Sequence, residues 1–320
     1  MVWQRRAANV CLVCLTFLFS CGCISSPDPP SLTTDQLTLV LSELLVYPDV
    51  TCEALRDAFD VEYLPLAETP DEAGLPYEEH RLPTADGQHL RVWYLPTRLD
   101  RGTVILSQGA MGTMPCYLFH ARLLVRNGWS VVMYDFRGVG GSGGRVDLGS
   151  MPDDLNAVLD WTLRQTGREA VTLMGISLGT IPSVAVAAQR PQAVNGVVLD
   201  SPVALGAEIQ RLAFALRGRA EEYVNSLAPN LRVEELVRNV RQPLLIFAAE
   251  RDVITPPATI RLIYDRAAGP KRLVAFPGLA HAREPFGDTG TYTYELETFL
   301  SSIWSQLEWP VIEPDATEDD

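Results

Sequence analysis

Val171-Thr172-Leu173-Met174-Gly175-Ile176-Ser177-Leu178-Gly179-Thr180-Ile181-Pro182 is an apolar run that breaks on a serine held between two glycines and then turns helical. β-forming residues lead up to Ser177, whereas Ile181, Val184, Ala185 and Ala188 after it recur at i, i+3, i+4 and i+7, one face of a helix. The pattern predicts strand, tight turn and helix with the serine at the apex, the arrangement of a nucleophile elbow. Gly175 and Gly179 fit because side chains there would collide with the neighbouring strand or helix. The opening helix also turns unpaired N–H groups toward any negative charge that develops at Ser177.

On either side of this stretch the chain alternates. Tyr77–Leu82 and Gln88–Leu95 read as two strands joined by the turn Ala85-Asp86-Gly87. Apolar runs at Thr103–Leu106, Ser130–Asp135, Val194–Leu199, Pro243–Ala248 and Arg272–Phe276 predict further strands. Helical patterns fall near Cys116–Asn127, Pro152–Gln165, Pro257–Ala268 and Tyr292–Leu307. A hairpin followed by strand and helix in alternation predicts an α/β fold: a mostly parallel central sheet with an N-terminal antiparallel hairpin and helices on both faces. At 320 residues, 47% of them hydrophobic, the chain can bury the core of one large domain.

With 40 acids against 26 bases and a net charge of −14, the protein is not expected to bind nucleic acid or an anionic membrane surface by charge. Its N-terminus offers another route to a membrane. Arg5 and Arg6 precede an apolar run from Ala7 to Phe19, and Leu18-Phe19-Ser20-Cys21 resembles the cleavage site of a bacterial lipoprotein signal. Residues 1–20 are therefore expected to be removed and Cys21 to be lipidated. Gly22 after it suits the outer membrane, and a plain signal peptide or uncleaved anchor is the alternative. Residues 21–46 then form a tether and N-terminal helix, 47–309 the domain, and 310–320 an acidic, disordered tail. In an oxidising compartment Cys52 and Cys116 can pair, and the cysteine spacing matches no metal motif.

A serine hydroxyl attacks a carbonyl only when a base removes its proton and a third group orients that base. Of the four histidines, His80, His89 and His120 precede Ser177, and His281 lies in the loop Pro277–Ala282 after the last strand. His281 is the candidate base. Asp252 directly follows the strand ending at Ala248, at the carboxyl edge where open α/β sheets gather ligands. Asp200, at the end of Val194–Leu199, and more remotely Asp288 are rivals for the same role.

The order Ser, Asp, His and the G-x-S-x-G pattern resemble the α/β-hydrolases over nearly all of Tyr47–Ile303. The likeness is strongest to serine hydrolases with little or no cap, among them eukaryotic depalmitoylating hydrolases and bacterial lipoprotein hydrolases. Tyr134–Ser142 matches their loop after strand four. The resemblance implies Ser177 as nucleophile, His281 as base and then acid, and Asp252 as its orienter. It also implies an oxyanion hole made by the N–H groups of Leu178 and Ala110. The chain departs from the family at Gln108-Gly109, where His-Gly is usual.

Gly138-Val139-Gly140-Gly141-Ser142-Gly143 fits a dinucleotide-binding pattern, but no helix opens at its third glycine and it does not begin a nucleotide-binding βαβ unit. Neither a cofactor nor a metal is expected. Leu205, Ile209, Leu212 and Leu216 predict a helical segment within residues 201–232, either a small lid or a helix packed on the sheet. The expected activity is hydrolysis of a small-molecule carboxylic ester or thioester through an acyl-enzyme. A serine peptidase or acyltransferase on the same triad, or a non-catalytic envelope-binding protein, is the alternative.

Overall fold

In the computed structural model the run Val171–Ile176 is a fully buried strand, β5, at the centre of a single sheet. The structure describes residues 31–59 and 67–305, so residues 1–20, Cys21 and the acidic tail lie outside it. The other strands are β1 (Glu78–Pro83), β2 (His89–Leu95), β3 (Thr103–Ser107), β4 (Ser130–Tyr134), β6 (Val194–Asp200), β7 (Leu244–Ala249) and β8 (Lys271–Phe276). Their spatial order is β1-β2-β4-β3-β5-β6-β7-β8. β1 and β2 pair antiparallel, β2 meets β4 antiparallel, and every pairing from β4 to β8 is parallel. This is the mostly parallel sheet with an N-terminal antiparallel hairpin that the alternation predicts, and the arrangement that the resemblance to α/β-hydrolases implies.

Register brings the carboxyl ends of the central strands level. Ser107 pairs with Gly175, Ile176 with Asp200, Asp200 with Phe247, and Ala249 with Phe276. The loops leaving β3, β5, β6, β7 and β8 therefore open on one edge.

Alternate side chains point to opposite faces, as the strand period requires. Ile105, Leu173, Val197 and Ile246 join one apolar layer, and Leu106, Met174, Val198 and Phe247 the other. The first layer is covered by α1 (Thr34–Leu45), α4 (Met151–Thr166), α5 (Thr180–Gln189) and α9 (Pro257–Arg266). The second is covered by α3 (Leu118–Arg126) and α11 (Thr289–Trp304). Between these lie α2 (Cys52–Phe59), α6 (Leu205–Arg211), α7 (Ala220–Ser226), α8 (Val233–Leu236) and α10 (Glu284–Gly287).

Two helices differ from a simple one-sided reading. α5 is buried on every side from Thr180 to Ala187, because β5, α4 and α8 all pack on it. α1 opens with a capping box, Thr33 with Gln36. It then sinks Leu37 and Leu41 into the domain core, while Ser42 Oγ accepts the Leu148 N–H at 2.9 Å. The N-terminal helix thus shares the core of the domain it precedes. The segment 201–232 forms α6 and α7, with Leu205, Ile209, Leu216, Tyr223 and Leu227 in the core and Phe214 at the turn 99% exposed. Leu216 falls beyond the end of α6, in the turn.

The glycine-rich run 138–143 is a clasp. Asp135 is fully buried and accepts the N–H groups of Met114 (2.9 Å) and Gly141 (3.1 Å), while Gly143 N–H donates to His89 O at 2.8 Å. Gly140 has φ +53°, and a side chain there would meet the Asp135 carboxylate. The chain's own carboxylate thus takes a glycine-run N–H, that of Gly141, for itself. Arg137 beside it grips Asp154 with two bonds, of 2.8 and 2.6 Å, and Asp86 with one of 2.8 Å.

Candidate active site

Ser177 sits at φ +49°, a left-handed conformation that costs a non-glycine residue energy and persists only where packing imposes it. The glycines around it make that packing. A Cβ on Gly179 would lie 2.2 Å from Ser107 O, and one on Gly175 would lie 2.5 Å from Gly179 O. Thr180 Oγ1 donates to Ser177 O at 2.5 Å and accepts the Val203 N–H at 3.1 Å, tying the elbow to the segment after β6.

Three sequence-predicted residues meet at the carboxyl edge of the sheet. His281 Nε2 lies 2.9 Å from Ser177 Oγ, and His281 Nδ1 lies 2.7 Å from Asp252 Oδ2. Since a carboxylate only accepts, Nδ1 carries the ring proton and Nε2 presents a lone pair to the serine hydroxyl. Asp252 follows β7 in a turn in which Oδ1 accepts the Ile254 and Thr255 N–H groups at 2.8 Å each, and Oδ2 accepts from Thr255 Oγ1 at 2.6 Å. Burial pushes the Asp252 carboxyl up, but His281 and Thr255 outweigh it and hold the group below its ordinary value. Asp252 is therefore ionised where it faces the imidazole.

Neither rival for the orienting role reaches His281. Asp200 accepts from Tyr292 OH at 2.8 Å, and Asp288 caps α11 through the Thr291 N–H at 3.0 Å.

Leu178 is the second residue of the helical turn Ser177–Gly179, so its N–H lies in the first turn, ahead of any intrahelical partner. Ala110 lies in the loop after β3, a loop fixed from the other side of the chain. Tyr47 N–H donates to Ala110 O at 2.7 Å, Gly112 N–H returns to Tyr47 O at 3.0 Å, and Tyr117 OH donates to Met111 O at 2.8 Å. Gln108, which replaces the family's histidine, is buried and makes one long contact, Nε2 to Gly112 O at 3.5 Å. A disulfide joins Cys52 to Cys116, the pair considered from the sequence, and Cys116 lies directly behind Gly112.

Sequence reasoning passed over Thr255, Ser201, Glu284, Tyr47 and Tyr117. Thr255 had a local signal, because Asp-x-x-Thr before proline is a turn that locks a carboxylate. Ser201, Glu284 and Tyr47 act across long sequence separations and carry none, and Tyr117 reaches back six residues to a backbone carbonyl, which no side-chain pattern marks.

Residues 102–233 match the alpha/beta hydrolase fold family, a stretch that holds Ala110, Ser177 and Leu178. Rv2307c of Mycobacterium tuberculosis is 31% identical over 205 residues, covering 62% of this chain and 70% of that protein. The chain belongs to the alpha/beta hydrolase family. YqkD of Bacillus subtilis is a more distant relative of this alpha/beta hydrolase, 23% identical over 241 residues, with 69% of this chain and 78% of that one covered. Among solved structures, the Pyrococcus furiosus esterase Pf2001 superposes with a TM-score of 0.63 at 20% identity, covering 74% of this chain and 95% of its own. At that identity the likeness shows the shared fold.

Proposed function

We propose that this hydrolase cleaves carboxylic ester or thioester bonds through an acyl-enzyme on Ser177, and that it does so as a lipid-anchored protein of the bacterial envelope. The observation that carries the reaction is the continuous chain Ser177 Oγ, His281 Nε2, His281 Nδ1, Asp252 Oδ2, with spacings of 2.9 and 2.7 Å on either side of the ring.

In the first half-reaction His281 Nε2 takes the hydroxyl proton as Ser177 Oγ bonds to the carbonyl carbon. The carbonyl oxygen becomes an anion facing the N–H groups of Leu178 and Ala110. Collapse of the tetrahedral species breaks the bond to the leaving oxygen or sulfur, which receives the proton from His281. In the second half, water replaces the leaving group on the same path, and the acid departs with Ser177 restored. Asp252, ionised throughout, stabilises the imidazolium and fixes its tautomer.

The test is a panel of p-nitrophenyl esters and matched thioesters of graded acyl length. Turnover of esters or thioesters with release of free acid is expected. Transfer of the acyl group to an alcohol instead of water would replace the reading with an acyltransferase, and cleavage of peptides alone would replace it with a peptidase.

The anchor rests on Leu18-Phe19-Ser20-Cys21. In a bacterial host, cells fed a labelled fatty acid should lipidate the parent protein and leave Cys21→Ser unlabelled. Equal labelling of both would remove Cys21 as the attachment point.

A further inference from the structure

Behind the His281 loop lies a group of buried polar residues that the reaction above does not use. Asp200 at the end of β6 and Glu284 at the start of α10 are both 0% exposed. Ser201, between them, donates through Oγ to Glu284 Oε1 at 2.8 Å and accepts the Ala282 N–H at 3.1 Å. Ala282 is the residue after His281. Both ends of that last bond are strained: Ser201 has φ +48° and Ala282 φ +53°, so two non-glycine residues stand in the left-handed region. Strain of this kind must be held by something, and here the chain of bonds runs from Ala282 through Ser201 to the Glu284 carboxyl.

The surroundings fix that carboxyl's charge. The titratable groups facing the pair are Asp252 after β7, His281 in the loop after β8, His120 on α3 and Tyr292 on α11. His120 Nε2 lies 4.0 Å from Asp200 Oδ2, but burial drives its pKa down to about 3, so the ring is neutral. Tyr292 donates its hydroxyl to Asp200 and stays protonated, burial raising it. Asp252 adds a further negative charge. Two carboxyls cannot both ionise in such a place. Burial and the neighbouring Asp200 push Glu284 well above its ordinary value, whereas Asp200 is pushed up to about 6. One oxygen of each, Glu284 Oε2 and Asp200 Oδ1, accepts no hydrogen bond among the described residues, which leaves a buried negative charge there unsolvated and favours the protonated form.

We propose that Glu284, acting through the Ser201 hydroxyl, is a positioning residue that holds the His281 loop in register with Ser177. Its carbonyl oxygen accepts from Ser201, Ser201 accepts the Ala282 N–H, and the imidazole is thereby set between Ser177 and Asp252. When Glu284 ionises, as pH rises through its raised range, repulsion from Asp200 and Asp252 displaces the carboxylate and the Ser201 bond to it, and the hold on Ala282 loosens.

This inference rests on the triad reading, and the experiment separates the two. The rate of fluorophosphonate labelling and the kinetics on a p-nitrophenyl ester are measured for the full chain from about pH 5 to about pH 10, beside Glu284→Gln, Glu284→Ala and Ser201→Ala. Glutamine reproduces the shape and hydrogen bonds of the neutral acid and cannot ionise. Glu284→Gln should keep kcat/KM within about threefold of the parent near neutrality and lose the parent's alkaline decline. Glu284→Ala and Ser201→Ala should lower kcat by about 10- to 100-fold with KM little changed, because a loop shift of an ångström misplaces the base. A parent that takes no label overturns the triad reading and this inference with it. A labelled parent overturns this inference alone in either of two cases: Ser201→Ala reacts at the parent's rate, or Glu284→Gln is as impaired as Glu284→Ala. Should Glu284→Ala fail to fold, Ser201→Ala and Glu284→Gln still decide the matter.

Discussion

Replacing Ser177 by alanine will abolish labelling by a fluorophosphonate probe and lower kcat for ester hydrolysis on the order of a million-fold, leaving only what the oxyanion donors and binding supply. The fold should survive, because the change removes one hydroxyl whose side-chain partner is the His281 imidazole and leaves the apolar layers untouched. Alanine at this position inherits the left-handed backbone, φ +49°, which the glycines at 175 and 179 impose whatever the side chain. The measurement is therefore clean: unchanged thermal unfolding with lost turnover assigns the nucleophile. Persistent labelling of the variant would move it elsewhere.

The second large effect concerns the Cys52–Cys116 bridge. It closes a loop of sequence separation 64, and chain-entropy reasoning puts its contribution to stability at about 4 kcal/mol. The double variant Cys52→Ser, Cys116→Ser, or the parent in strong reductant, should unfold at a correspondingly lower denaturant concentration. Activity should fall further than stability alone requires. The bridge backs the turn at Gly112, where an added Cβ would lie only 2.6 Å from Cys116 Sγ, and that turn continues the loop that bears Ala110, the oxyanion donor proposed above. Unfolding curves that coincide in the presence and absence of reductant would contradict the expectation. A bond of this kind lasts in an oxidising compartment, which fits the export proposed above.

Much of this arrangement is legible in the sequence because it is local. Ser177 announces itself through the glycines two residues away on either side. Asp252 and His281 are found by their place just past strand ends, since a parallel sheet must collect those ends on one edge. The central strands follow from continuous apolar runs, because β3 to β7 are buried almost end to end. What the sequence does not announce is contact between distant residues of ordinary type. Ser201 reaches Glu284 across 83 positions, and Tyr47 meets Ala110 through backbone atoms alone, which no side-chain pattern encodes. Asp200 illustrates the limit from the other side. Its place at a strand end equals that of a triad acid, and only the Tyr292 hydroxyl and the turn at Asp252 separate their roles.

Tyr47 lies upstream of the first strand and outside the stretch that matches the family, yet its backbone is stitched by two hydrogen bonds to the loop that bears Ala110. The segment before β1 is thus a mechanical part of the candidate site. A chain trimmed to begin at β1 would keep serine, histidine and aspartate and still lose the splint across the oxyanion loop. The same stitching means that tension applied along α1 is delivered, through Tyr47, to the loop after β3 that bears Ala110.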